Sequence, residues 1–77
     1  MRRRKVYHVV PRPGGAWAGE AEGGKRASVV GGNKAGVLER TIEIAKEHRL
    51  SQVVIHKENG EIQSERTYGN DPFPPRG

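Results

Sequence analysis

The sequence has no cysteine, few aromatic residues, a single aspartate and no long apolar run. Without cysteine the chain cannot form a disulfide framework or a thiolate metal site, which favours a cytoplasmic location. No apolar stretch approaches the ~20 residues that a membrane-spanning helix requires, so we expect no membrane association. The apolar run that follows the basic start, from Val6 to Val10, is too short for the core of a signal peptide.

The length of 77 residues predicts one small domain, whose core supplies only roughly 3–5 kcal/mol. This size leaves little room for an enzyme cleft on a scaffold. None of Ser28, Ser51 and Ser64 lies in a nucleophile context, and Asp71, within Asn-Asp-Pro, is typical of a turn. We therefore expect no catalysis, no cofactor and no small-molecule substrate.

The positive charge is concentrated at the start of the chain. The formal net charge is +5, residues 2–5 supply four positive charges, and the rest of the chain has 10 basic and 9 acidic residues. A basic arm of this kind is most simply a solubilising tail, but with neighbouring cations it can also bind phosphates. The predicted nucleic-acid-binding residues are Arg2, Arg3, Arg4, Lys5, Arg12, Lys25 and Arg26.

Residues 33–48 form the only segment with sustained helical periodicity. One stripe is largely apolar and comprises Val37, Leu38, Thr41, Ile44 and Ala45. The opposite stripe is charged and comprises Glu39, Glu43, Lys46 and Glu47. The pattern predicts a helix from Asn33 to Arg49 with one buried face, with Asn33 as the N-cap.

Five strands are predicted around this helix. Residues 5–11, 16–22 and 27–30 precede it, and residues 52–56 and 61–67 follow it. In the second strand, Trp17, Gly19 and Ala21 share one face. The apolar run Val53-Val54-Ile55 indicates an interior strand, and Asn59-Gly60 predicts a hairpin with a type I′ turn.

The order of these elements predicts the fold class. The sequence β-β-β-α-β-β is typical of an α+β domain in which one mostly antiparallel sheet carries the helix on one face. We expect a basic arm over residues 1–5, the domain over 6–67 and a proline-rich tail over 68–77.

The closing segment 68–77, Tyr-Gly-Asn-Asp-Pro-Phe-Pro-Pro-Arg-Gly, carries a family resemblance. Together with Val54-Ile55-His56 and residues 60–63, it resembles the short bacterial proteins of domain of unknown function 2188. The resemblance extends to Val9-Val10-Pro11 and to Trp17, near the start of the chain. It implies one domain over nearly the full length, and no established activity, cofactor or partner.

The histidines have two interpretations. His8 and His56 would be neighbours if their strands pair, which would allow metal binding or acid–base chemistry. Two histidines without a placed carboxylate or thiolate are a weak ligand set. We therefore expect hydrogen bonds within the sheet and no metal site. His48, near the helix C-terminus, is interpreted as a partner of the helix dipole.

Three other patterns also have two interpretations. Residues 31–34, Gly-Gly-Asn-Lys, form either a turn with a helix cap or a phosphate contact. Tyr7, Trp17 and Tyr68 could stack on bases, although we favour Trp17 in the core. The segment Pro72–Pro75 could bind an aromatic groove as polyproline II, although we favour a tail folded on its own domain.

The sequence is compatible with two functions. The first is a small nucleic-acid-associated binding module that uses the basic arm. The alternative is a protein-interaction or self-assembling domain, which would pair with a partner or a second copy through an edge strand or the sheet face away from the helix.

Overall fold

The computed structural model describes residues 5–24, 26–48 and 50–69. The elements in chain order are β1 (Lys5–Pro11), a 3-10 turn (Pro13–Gly15), β2 (Trp17–Ala21), β3 (Ala27–Gly31), α1 (Lys34–Lys46), β4 (Leu50–His56) and β5 (Ile62–Gly69). The predicted α+β class and the element order β-β-β-α-β-β are confirmed. Asp71 and the proline-rich segment 72–75 lie outside the described residues.

The five strands form one mixed sheet in the order β3-β2-β1-β4-β5. Three of the four pairings are antiparallel, and the fourth, between β1 and β4, is parallel. The parallel pair is possible because α1 carries the chain back across the sheet before β4 begins. The interior position predicted for Val53-Val54-Ile55 is confirmed, since β4 lies between β1 and β5 and all three side chains are buried.

The helix begins where the sequence predicts and ends earlier. The Asn33 side chain accepts a hydrogen bond from the Gly36 backbone N–H at 2.7 Å, which satisfies one of the free donors of the first turn. Val37, Thr41 and Ala45 of the predicted apolar stripe are buried. The helix ends at Lys46 and not at Arg49, because the chain turns after Glu47 to enter β4 at Leu50.

The core fills the space between α1 and one face of the sheet. Strand residues alternate between the two faces, and the core cluster is formed by Tyr7, Val9, Trp17, Val29, Val37, Ala45, Val53 and Ile55. Gly19 lies on the same face beneath Thr41, so the shared face predicted for Trp17 and Gly19 is confirmed. The other face, which carries His8, Ala18, Val54 and His56, is called the open face below.

One buried hydroxyl has no hydrogen-bond partner among the described residues, the Oγ of Ser51. Ser51 is fully buried in β4. An unsatisfied buried polar group costs about 1–3 kcal/mol. We therefore expect Ser51→Ala to raise the free energy of unfolding by about 1 kcal/mol, measured by urea denaturation. A loss of stability would mean that the hydroxyl is satisfied in solution.

The hairpin between β4 and β5 forms at the predicted place with a different turn. A type I′ turn needs positive φ at both Asn59 and Gly60. Among the described residues only glycines have positive φ, and Gly60 has φ +92°. Its N–H bonds the Lys57 carbonyl at 2.9 Å, while the Asn59 side chain accepts from Glu61 N–H at 3.0 Å. The type I′ prediction is therefore wrong, because Asn59 is satisfied by a side-chain bond at negative φ.

Candidate functional site

One end of the sheet collects basic side chains that are distant in the sequence. β1 and β4 are parallel and start at this end, and the turn from β2 to β3 returns there because β2 is antiparallel to β1. The last turn of α1 lies there as well, since Lys46 contacts Tyr68, which pairs with Ser51 at the start of β4. Lys5, Arg26 and Lys46 are exposed at this end, which we call the basic end.

Two of these cations lie over aromatic rings. The Lys5 Nζ lies 5.9 Å from the centre of the Tyr7 ring, and the Lys46 Nζ lies 5.4 Å from the centre of the Tyr68 ring. An aromatic ring contacts the ammonium group on one side only. Water or an anion can still contact its other sides. Within the described ranges, neither ammonium group forms an ion pair with a carboxylate. Both are therefore held at the surface and can still bind an anion.

Tyr7 links the basic end to the core. Its ring is buried, and its hydroxyl is hydrogen-bonded to His48 Nε2 at 3.1 Å. Burial raises the pKa of the Tyr7 phenol, and the nearby Glu47 carboxylate raises the pKa further. Both effects disfavour the phenolate. Tyr7 therefore stays a neutral anchor under the basic end and adds no negative charge there.

The structure separates the predicted nucleic-acid-binding residues that it describes. Lys5 and Arg26 lie at the basic end, whereas Arg12 follows the last residue of β1 at the opposite end of the sheet. Arg12 forms an ion pair with Glu20, so much of its charge is already neutralised. The other four predicted residues, Arg2, Arg3, Arg4 and Lys25, lie outside the described residues.

The three aromatic side chains of the described residues, Tyr7, Trp17 and Tyr68, do not form a stacking platform. Tyr7 and Trp17 are 4% and 7% exposed and belong to the core under α1. Tyr68 is half-buried on the same side, beneath Lys46. The core interpretation of Trp17 is confirmed, and the hypothesis that Tyr7 and Trp17 stack on bases is wrong. The reason is that a small core needs its few large apolar side chains.

The glycine-rich junction before α1 is a turn and a cap. Asn33 bonds the first turn of the helix as described above, and Lys34 turns toward the sheet. Its Nζ donates to Gln63 Oε1 at 2.6 Å and lies 4.9 Å from the centre of the Trp17 ring. Lys34 therefore connects the start of α1 to β2 and β5. Its ammonium group is engaged there and is not placed to bind a phosphate at the helix N-terminus.

The two strand histidines contact each other on the open face. β1 and β4 pair, and His8 Nδ1 lies 3.0 Å from His56 Nε2. The outer nitrogen of His8, Nε2, is 2.8 Å from a Glu22 carboxylate oxygen, and the outer nitrogen of His56, Nδ1, is 2.9 Å from the Gly60 carbonyl oxygen. The expectation that these histidines are hydrogen-bonded within the sheet is confirmed.

Sequence reasoning missed three residues of these two sites. The sequence pattern places Lys46 on the exposed side of the helix, Glu22 at the end of a strand and Gly60 in a turn. It assigns none of the three to a site. The missing information was the strand order, because the contacts join β1 to β4 and the helix end to β5. A search for carboxylates near His8 would have found Glu22 only if the β1–β2 register had been known.

The described residues and both sites define a small α+β domain in which one face of a mixed sheet carries the helix α1. The chain belongs to the family described as "Uncharacterized protein conserved in bacteria (DUF2188)", whose model matches residues 7–68. The matched segment stops at Tyr68, so it does not test the rest of the closing motif. No curated protein and no solved structure matches the chain. α1, the helix within the described ranges, is too short and too polar to cross a membrane.

Proposed function

We propose that this domain is a nucleic-acid-associated binding module that contacts phosphates through its basic end. The observation that carries the proposal is the convergence of Lys5, Arg26 and Lys46 at one end of the sheet. In the sequence, Arg2, Arg3 and Arg4 directly precede Lys5, Lys25 precedes Arg26, and Arg49 lies three residues beyond Lys46.

The charge distribution supports this location. The described residues contain eight basic and eight acidic side chains, so the net charge of +5 comes from residues 1–4, 25, 49 and 70–77. Three of these four segments join the body of the domain next to Lys5, Arg26 and His48. A neutral body with its excess charge attached at one end favours an oriented contact with a polyanion.

The proposed contact has little sequence specificity. Base readout needs side chains that reach base edges or aromatic rings on which bases stack. Tyr7 and Trp17 are buried and Tyr68 is covered by Lys46. We therefore expect phosphate contacts to dominate, similar affinity for oligonucleotides of different sequence, and a steep loss of affinity with salt.

A pair of double variants of equal net charge tests the location of the binding surface. We expect Lys5→Ala with Lys46→Ala to weaken binding to a short DNA duplex and to reduce the salt slope by about 2, because each lost phosphate contact removes ~0.9. The matched control is Arg12→Ala with Lys57→Ala, which removes two positive charges from the opposite end. Fluorescence anisotropy with a labelled duplex between about 50 and 200 mM salt gives the slopes.

Two results would contradict the proposal. One is the absence of detectable binding to single- and double-stranded oligonucleotides at low salt. The other is an equal loss of affinity in the control variant, which would assign the binding to net charge alone. A single-stranded oligonucleotide of the same length shows whether duplex geometry contributes.

Self-association through an edge strand is the second candidate. Val30 on β3 and Ile62 on β5 are 65% and 55% exposed, and these two strands form the edges of the sheet. Exposed apolar residues on an edge favour pairing with a second copy. Glu65 and Arg66 on β5 oppose it, since charged edge residues discourage strand addition. Light scattering across protein concentration separates the two candidates, because a strict monomer that binds DNA excludes self-pairing as the main function.

A further inference from the structure

Glu22, His8, His56 and the Gly60 carbonyl form a continuous series of contacts on the open face. The three separations are 2.8 Å from Glu22 to His8, 3.0 Å between the imidazoles, and 2.9 Å from His56 to Gly60. The series joins the segment after β2 to β1, β4 and the β4–β5 hairpin. Glu22 follows β2 at the basic end, whereas the two imidazoles lie farther along β1 and β4. The series does not depend on the function proposed for the basic end.

The two outer contacts determine which nitrogen of each ring carries its hydrogen. An ionised carboxylate and a backbone carbonyl can only accept hydrogen bonds. His8 therefore donates from Nε2 to Glu22, and His56 donates from Nδ1 to Gly60. A neutral imidazole has one N–H, so this donation leaves a bare lone pair on His8 Nδ1 and another on His56 Nε2.

The two bare nitrogens face each other at 3.0 Å. Two lone pairs at this distance repel, and no hydrogen of the neutral rings is left to lie between them. A cation between the two nitrogens removes this repulsion: either a proton, which makes an N–H···N hydrogen bond because both nitrogens of a protonated imidazole donate, or a metal ion that binds both lone pairs. Metal-binding histidines have the same outer contacts, because their second nitrogen usually donates to a carboxylate or a backbone carbonyl.

We propose that His8 Nδ1 and His56 Nε2 bind a divalent transition-metal ion such as Ni²⁺ or Zn²⁺. Two nitrogens, each about 2.0–2.1 Å from one ion and at a right angle to each other, lie about 3.0 Å apart. The observed separation of 3.0 Å therefore fits two adjacent positions of a square or octahedral set, which suits Ni²⁺. A tetrahedral Zn²⁺ set needs the nitrogens ~3.3 Å apart, so Zn²⁺ must also separate the rings slightly. Imidazole nitrogens suit Ni²⁺, Cu²⁺ and Zn²⁺. The ring centres are 5.2 Å apart, so the two lone pairs point almost directly at each other. Binding therefore requires both rings to rotate until the lone pairs converge on the solvent side.

The exposure of the pair leaves room for the remaining ligands. The His8 side chain is 27% exposed and Glu22 is 64% exposed. Within the described ranges no third His, Cys, Asp or Glu completes a metal-binding group. Water therefore fills the other positions, and this set of two protein ligands predicts reversible binding and not a structural metal.

Calorimetric titration of the untagged chain of 77 residues with Ni²⁺ tests the site, since a histidine tag would bind the same ion. We expect one ion per chain. His8→Gln and His56→Gln should each abolish this binding, whereas His48→Gln should leave it unchanged, because His48 lies at the basic end next to Tyr7. Glu22→Gln should raise the Kd by about 10–100-fold through loss of the outer contact.

A second measurement keeps the proposal testable if a variant folds poorly. Nitrogen-15 spectra of the imidazoles in the metal-free wild type should place the hydrogen on Nε2 of His8 and on Nδ1 of His56. Addition of Zn²⁺, which is diamagnetic, should shift the His8 and His56 signals and leave those of His48 in place. The proposal is wrong if the hydrogens occupy the opposite nitrogens, if His8→Gln binds Ni²⁺ like the wild type, or if the wild type binds neither ion.

Discussion

Replacement of Gly19 by alanine is expected to destabilise the domain by about 3 kcal/mol. A Cβ at this position of β2 would lie 2.0 Å from the Oγ1 of Thr41 and 3.1 Å from its Cβ. Thr41 cannot move away easily, because it is fully buried and its hydroxyl donates to the Val37 carbonyl at 2.7 Å. The added methyl group must therefore push α1 away from the sheet, which disturbs the whole core.

Urea denaturation measures this effect, and the chain offers a matched control. A Cβ added at Gly32 would meet nothing within 4 Å, and Gly32 does not have positive φ, so Gly32→Ala should change stability by less than about 0.5 kcal/mol. The double variant Gly19→Ala with Thr41→Ala should lose less free energy of unfolding than the two single variants lose in sum, because the side chain that clashes with the new methyl group is gone. A Gly19→Ala protein as stable as the wild type would show that α1 does not approach β2 this closely.

The close approach of α1 to β2 also shows what local sequence patterns can predict. The helical period from residue 33 onward and the Asn33 cap depend on neighbours within one or two turns, so the sequence alone identifies the helix and its buried face. The alternation in residues 16–22 likewise places Trp17 and Gly19 on one face. Local patterns cannot reveal that Gly19 touches Thr41, because that contact depends on how the helix crosses the sheet.

The strand order could not be predicted for the same physical reason. β1 and β4 are far apart in the sequence, yet they pair directly in register, with Tyr7 opposite Val53. Apolar strands carry little local information about which neighbour they choose. From the sequence, contact between His8 and His56 can therefore be predicted only if β1 and β4 are assumed to pair. The contacts of Glu22 and Gly60 with these histidines cannot be predicted from the sequence.

The sequence also could not show which charged side chains lie together in the fold. Arg12 lies near Lys5 in the sequence, whereas Lys46 is 41 residues from Lys5. A strand of seven residues places Lys5 and Arg12 at opposite ends of the sheet, and the return of α1 brings Lys46 to the end that holds Lys5. Sequence proximity was therefore a poor guide to which cations could act together.

Removal of the Ile55 side chain is expected to have the second large effect. Ile55 is 2% exposed and lies in the core cluster between Val9 and the strand β5. Truncation of such a residue to alanine typically costs about 2–5 kcal/mol, because apolar contacts are lost and a cavity remains. A core of this size supplies only roughly 3–5 kcal/mol, so we expect Ile55→Ala to be largely unfolded by circular dichroism and by the loss of dispersed amide signals.

A graded series makes this prediction quantitative. Ile55→Val removes one methylene group and should cost about 0.5–1.5 kcal/mol, which leaves a folded protein whose urea midpoint can be measured. Ile62 is the matched control, because it is the same residue type in the adjacent strand and is 55% exposed. Ile62→Val and Ile62→Ala should each change stability by less than about 0.5 kcal/mol. Equal losses at positions 55 and 62 would mean that Ile62 is buried in solution, as self-association through the β5 edge would require.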